Sequence, residues 1–101
     1  MWIIVFFDLP TDTKKARKRY TIFRKDLLDD GFSMMQYSVY VRHCASKENA
    51  KVHIKRVRYC VPPDGEVRVT QFTDKQFSRM EVYRGKRRVD VEEEPAQLEM
   101  F

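Results

Sequence analysis

Trp2-Ile3-Ile4-Val5-Phe6-Phe7 puts six apolar side chains in succession near the start of the chain, and Asp8 closes the run. The run is too short to cross a bilayer. It is rich in β-branched and aromatic residues, which favours a strand over a helix. An edge strand with one wet face alternates apolar and polar residues. An unbroken run instead needs cover on both faces, so these residues predict a central strand.

The rest of the chain is read around that strand. Leu9-Pro10-Thr11-Asp12 predicts a turn, with Thr11 or Asp12 capping a helix that continues to Asp30. Ala16, Tyr20, Phe23 and Leu27 form its single apolar stripe. Gly31 fits the left-handed position that ends a helix, with Phe32 folding back on the last turn. Phe32 to Arg42 has strand composition. Two short strands meeting near Gln36-Tyr37 are the preferred reading, and one long bent strand is the alternative. Ser46 caps a second helix, which Pro62-Pro63 stops and Asp64-Gly65 turns. Glu66 to Thr73 alternates as a strand with one buried face, and Thr73-Asp74-Lys75-Gln76 follows it. Met80 to Tyr83 is a further short strand, and Lys86-Arg87-Arg88 leads into the tail.

This order, βαββαβ with an extra strand, predicts an α+β, ferredoxin-like fold: an antiparallel sheet with two helices on one face. The opposite sheet face then has no helix to cover it, and a homodimer is the economical solution.

The chain's 101 residues suit one domain, read as residues 1–88 followed by an acidic tail over 89–101. Met1 to Arg88 holds 20 basic residues against 10 acidic ones, whereas the tail carries five acids and no Lys or Arg. A basic body points to a polyanion, nucleic acid first, although a solvated basic surface has the same composition. No apolar run spans 18 residues and the first residues do not resemble a signal peptide, so a cytoplasmic protein with no membrane partner is expected.

Two cysteines, Cys44 and Cys60, do not make a disulfide framework. His43 and Cys44 are neighbours and would point to opposite faces of a strand, no CxxC or HxxxH spacing occurs, and zinc is not expected. His43 and His53 are candidate bases, but a lone histidine is more often structural. No nucleophile elbow, phosphate-binding loop or RNA-recognition signature is present. Asp8 is the outstanding candidate. A carboxylate closing an apolar strand is either a turn residue in Asp-Leu-Pro or a ligand for a hard divalent cation. Asp12 is the nearest other acid in sequence, so a metal site would need two copies of Asp8 from a symmetric dimer. Such an ion can activate water and clamp a phosphodiester.

Several segments together resemble the small CRISPR-associated Cas-two proteins. They are Phe6-Phe7-Asp8-Leu9-Pro10-Thr11, Arg17-Lys18-x-Tyr20, Phe23-Arg24-Lys25, Gly31-Phe32, Gln36-x-Ser38-Val39-Tyr40, and Thr73-Asp74-Lys75-Gln76-Phe77-Ser78-Arg79-Met80. Phe-Asp-Leu-Pro-Thr with the later Lys-Gln-Phe-x-Arg-Met looks most like the branch that accompanies type II systems. The resemblance implies a ferredoxin-like homodimer whose last strand crosses onto the partner's sheet, and Asp8 at the family's catalytic, metal-binding position for Mg²⁺ or Mn²⁺ between two subunits. It implies a metal-dependent endonuclease acting on RNA or double-stranded DNA. It also implies a spacer-acquisition role, in which the dimer bridges a Cas-one integrase and holds the incoming duplex by its backbone. Arg17 matches the family motif; Lys14, Lys15, Lys18 and Arg19 join it as backbone contacts on charge alone. A free-standing ribonuclease or RNA-binding module is the alternative. The alternating Leu98-Glu99-Met100-Phe101 end reads either as an anchor for the integrase or as a frayed tail.

Overall fold

The structure, a computed structural model, describes residues 1–95. The anchor expected at Leu98 to Phe101 lies outside the described residues. The elements run β1 (Trp2–Asp8), α1 (Lys14–Asp29), β2 (Ser33–Gln36), β3 (Val39–His43), α2 (Lys47–Cys60), β4 (Glu66–Phe72), α3 (Asp74–Ser78), β5 (Val82–Arg84) and β6 (Arg87–Val89).

The main sheet has the order β2-β3-β1-β4, antiparallel throughout. This is the expected α+β architecture, and β1 is central. Its odd residues Ile3, Val5 and Phe7 meet Phe23 and Leu27 of α1 and Ala50 and Val57 of α2 in the larger core. Its even residues Trp2 and Ile4 belong to a second core with Val41 and Phe77. No helix among the described residues is long and apolar enough to cross a membrane.

Helix ends follow local chemistry. Thr13, rather than Thr11 or Asp12, caps α1, its Oγ1 accepting from the Ala16 amide at 3.0 Å. The Thr11 carbonyl accepts instead from Arg17 Nη1 at 3.1 Å, which holds the preceding loop. At the other end Phe32 N donates to Leu27 O at 3.0 Å and Gly31 N to Leu28 O at 3.1 Å, with Gly31 at φ +86°. This is a Schellman ending, and Phe32 and Leu27 share the larger core as its hydrophobic contact. Ser46 caps α2 as expected.

Other local details also differ from the sequence reading. The β2–β3 turn falls at Tyr37-Ser38, one residue later than predicted, because a bulge between Met34 and Gln36 shifts the register. Thr73 to Gln76, to which the sequence reading gave no element, is a helix start. The Thr73 side chain accepts from Gln76 N and the Gln76 side chain accepts from Thr73 N, a capping box that opens α3. That helix lays Phe77 flat on Trp2, with ring centroids 4.0 Å apart and planes 9° apart. The second sheet face is therefore part-covered by this chain itself. The strand near Val82 does not join the main sheet. It pairs with β6 across Gly85-Lys86, so Arg87 and Arg88 belong to a hairpin.

Asp30 ties the helix layer to the sheet. Its carboxylate accepts from Arg56 Nη1 at 2.7 Å and lies 2.8 Å from Nδ1 of the buried His53, while its carbonyl accepts from Arg42 Nε at 2.7 Å. Burial alone pushes the Asp30 carboxyl upward, but the hydrogen bonds and charges of His53 and Arg56 outweigh it and hold the group below its ordinary value. Asp30→Asn is expected to cost about 1–3 kcal/mol in urea denaturation at neutral pH. A carboxyl depressed on folding contributes stability above its unfolded pKa and loses it as pH falls, so the difference between the two proteins should shrink below about pH 4. A constant difference down to about pH 3 would show that the charge of Asp30 is not its source.

Candidate functional site

Side chains alternate along a strand, so Phe6 and Asp8 share the face of Trp2 and Ile4. Here the two ends of β1 differ. At the Trp2 end, α3 and Val91 cover the sheet. At the Asp8 end that face is open: Phe6 remains 40% exposed, and an open cleft of about 520 Å³ borders Phe6, Asp8, Tyr37, Val39, Glu66 and Arg68.

The register supplies what the sequence did not. Asp8 pairs directly with Glu66 across the β1–β4 ladder, and Phe6 with Arg68. Opposed residues of antiparallel strands lie on one face with Cβ atoms about 4.5–5.5 Å apart. Two carboxylates of this same chain therefore flank the cleft, where Asp12 had been the nearest acid in sequence. Only the strand register reveals Glu66. Arg68 Nε donates to Glu66 Oε1 at 2.6 Å, and this bond raises the arginine's pKa. Phe7 N donates to Ser38 O at 3.0 Å, pinning the β2–β3 turn to β1 beside Asp8.

Two exposed carboxylates on one face fit a hard cation that binds one or two carboxylates and keeps several waters. Asp8 and Glu66 would be the groups to hold it. A second metal-competent group lies at the covered end, where ligand atoms of His43, Asp74 and Glu94 all fall within 4.8 Å of one another. Asp74 Oδ1 there already accepts from the Met1 ammonium at 2.7 Å and lies 3.1 Å from His43 Nε2. Burial pushes the Asp74 carboxyl up, but the ammonium first and His43 second bring it below the ordinary value. His43 faces this group while Cys44 is buried in the helix-side core, the opposite-face placement expected of neighbours on a strand. Burial raises the Cys44 and Cys60 pKa values, so both thiols stay protonated at neutral pH.

The basic residues occupy the other layer. Lys14, Lys15, Arg17 and Lys18 are exposed on α1. Two of the five basic candidates also have structural partners: Arg17 on the Thr11 carbonyl and Arg19 on Asp64 at 2.9 Å. Helix α2 adds Lys47, Lys51, Lys55, Arg56 and Arg58 against the single acid Glu48, a basic element that attention to the first helix had passed over. The layered fold thus separates a basic helix face from a sheet face with a carboxylate pair at its edge.

The sequence profile of the family described as CRISPR associated protein Cas2 matches residues 1–80. A protein of Parvibaculum lavamentivorans named CRISPR-associated endoribonuclease Cas2 is 62% identical over 101 residues, covering 100% of both chains. One of the same name from Flavobacterium psychrophilum is 56% identical, covering 100% of this chain and 88% of its own. Another, from Ligilactobacillus salivarius, is 42% identical over 91 residues, 90% of each.

The backbone beside Asp8 depends on Gly65. Its φ is +89°, and a Cβ there would stand 2.7 Å from the Asp8 carbonyl oxygen and 2.8 Å from Leu9 Cδ2. Gly65→Ala is expected to lower stability by about 1–3 kcal/mol and to displace the end of β1. Thermal unfolding together with amide shifts of residues 7–9 checks both effects; an unchanged spectrum would show that the turn relaxes without moving Asp8.

Proposed function

The chain belongs to the CRISPR associated protein Cas2 family, and on that premise we propose that it is a dimeric, metal-dependent endonuclease subunit serving spacer acquisition in CRISPR immunity. The observation that carries the nuclease reading is the Asp8↔Glu66 pair at the open end of the sheet. Relatives named endoribonucleases support RNA as a substrate. Asp8 and Glu66, with the Asp8 of a second subunit, would hold Mg²⁺ or Mn²⁺, which would supply an activated water and a clamp on the phosphodiester. The chain's own contribution is to hold the carboxylates in register on a strand pinned by Ser38 and Gly65. Arg68 Nε orients the Glu66 carboxylate through their hydrogen bond.

The basic helix layer favours the second part of the reading. Lys14, Lys15, Arg17 and Lys18 on α1, with the basic face of α2, suit sequence-independent contact with the phosphates of double-stranded DNA. This face holds the incoming duplex while the dimer bridges the Cas-one integrase, which does the joining. Stable association with that integrase separates this role from a free-standing ribonuclease.

Cleavage of an RNA oligonucleotide should require Mg²⁺ or Mn²⁺, stop with chelator, and fall at least about 100-fold in Asp8→Asn. Glu66→Gln should raise the metal concentration needed for half-maximal rate. Cleavage that persists in Asp8→Asn would overturn the assignment. For duplex DNA, log affinity should fall linearly with log salt, and replacing Lys14, Lys15 and Lys18 by Gln should flatten that slope by about 0.9 for each phosphate left without its lysine. An unaltered slope would remove those lysines from the interface. Integration by the Cas-one partner with Asp8→Ala then tells whether the metal site belongs to acquisition or only to cleavage.

A further inference from the structure

Three residues that the cleavage chemistry does not use meet beside Trp2, at the opposite end of β1 from Asp8 and about 20 Å away along the strand. They come from three separate segments: His43 from the end of β3, Asp74 from the first turn of α3, and Glu94 from the chain beyond β6. One nitrogen or carboxylate oxygen of each lies within 4.8 Å of the others. No ligand spacing marks the group in the sequence, because each segment supplies a single donor.

Two of the three donors are already in place. The His43 side chain is only 11% exposed, and its ring stands edge-on to Trp2. Its Nε2 lies 3.1 Å from Asp74 Oδ1. Ligand atoms set tetrahedrally at about 2.0–2.1 Å from a zinc ion stand about 3.3 Å from one another, so this pair has nearly the spacing of two ligands on one ion. Glu94 is exposed, and its carboxylate can rotate to close the remaining gap.

The setting is one that holds a cation. Asp74 Oδ1 accepts from the Met1 ammonium at 2.7 Å, and Glu92 and Glu93 border the same open cavity of about 290 Å³ as Asp74 and Glu94. No Lys or Arg among the described residues borders it. A divalent ion offers these carboxylates twice the charge of the ammonium. An imidazole with two carboxylates is a donor set for Zn²⁺, whereas Mg²⁺ takes oxygen ligands and keeps its waters. The two ends of β1 therefore differ in kind: an oxygen-only pair at Asp8, and a group with a ring nitrogen at His43.

We propose that His43, Asp74 and Glu94 bind one Zn²⁺ ion per chain, with water in the fourth position, and that this ion fastens the segment after β6 to α3 and the main sheet. The site is independent of the nuclease reading, since it shares no residue with the Asp8 pair. Its role is structural: three segments that meet only through side chains gain a common bond, and metal binding becomes part of their docking.

The test is calorimetric titration of Zn²⁺ into the full-length chain carrying Asp8→Asn and Glu66→Gln, which removes the other carboxylate pair. One ion per chain should bind, and an equal concentration of Mg²⁺ should not displace it. In that background His43→Gln and Glu94→Gln should each weaken binding at least about 10-fold, since even groups that merely support a metal ligand are worth that much. At a Zn²⁺ concentration about ten times Kd, amide exchange over residues 91–94 should slow about 10-fold, and Glu94→Gln should abolish the slowing. Circular dichroism checks that His43→Gln is folded; Glu94→Gln, at an exposed position, gives a second probe that does not disturb the core. A folded chain that takes up no Zn²⁺ would overturn the proposal, as would unchanged affinity in both variants. Binding that weakens in His43→Gln but not in Glu94→Gln, or that leaves exchange over 91–94 unaltered, would take the segment after β6 out of the site and overturn its fastening.

Discussion

Both ladders of β1 are filled, by β3 on one side and β4 on the other, and both of its faces feed a core. A seven-residue strand used in this way is bare only at Phe6 and Asp8, and the strands and helices packed on it take their positions from it. The helices lie where Ile3, Val5 and Phe7 need cover, and α3 lies where Trp2 and Ile4 need it. Apolar burial of this kind is non-directional, so it selects what covers β1 without fixing the details. The ladder hydrogen bonds supply the direction. The outcome is a strand apolar along six residues whose last residue, Asp8, emerges where the cover on one face stops.

That geometry explains why opposite chemistries coexist in so small a molecule. Carboxylates close to a phosphate-binding surface would repel the ligand that the surface attracts. Here the sheet and the larger core lie between the acidic edge of the open face and the basic helices. Within the helix layer several charges are already committed: Arg19 to Asp64, Arg56 to Asp30. The lysines of α1 and α2 have no such structural duty among the described residues, and their compact charges are left facing solvent.

What could be read from the residues, and what could not, divides along a physical line. The central strand, the Gly31 ending of α1 and the Ser46 cap follow from local chemistry, and the antiparallel order follows from connection rules that involve only neighbours in sequence. The β5–β6 hairpin was obscured because Lys86-Arg87-Arg88 has the composition of a solvated segment, and its pairing partner rather than its propensity makes it a strand. Helix α3 is too short to show a periodicity, although Thr73-x-x-Gln76 carries its capping box in plain view. Asp8 stood out because charge at the end of an apolar run is costly. Glu66 did not, since nothing local marks a glutamate at a strand start, and its place beside Asp8 comes from a register with a strand at the far end of the chain.

Trp2 is the chain's one tryptophan. Its ring stacks on the Phe77 ring of α3, with the His43 imidazole at its edge, 4.8 Å between centroids. The molecule thus contains a single indole fluorophore, placed at the seam where α3 closes over the sheet. Emission from that indole follows the seating of α3, so the closing of this seam can be timed in an unlabelled protein.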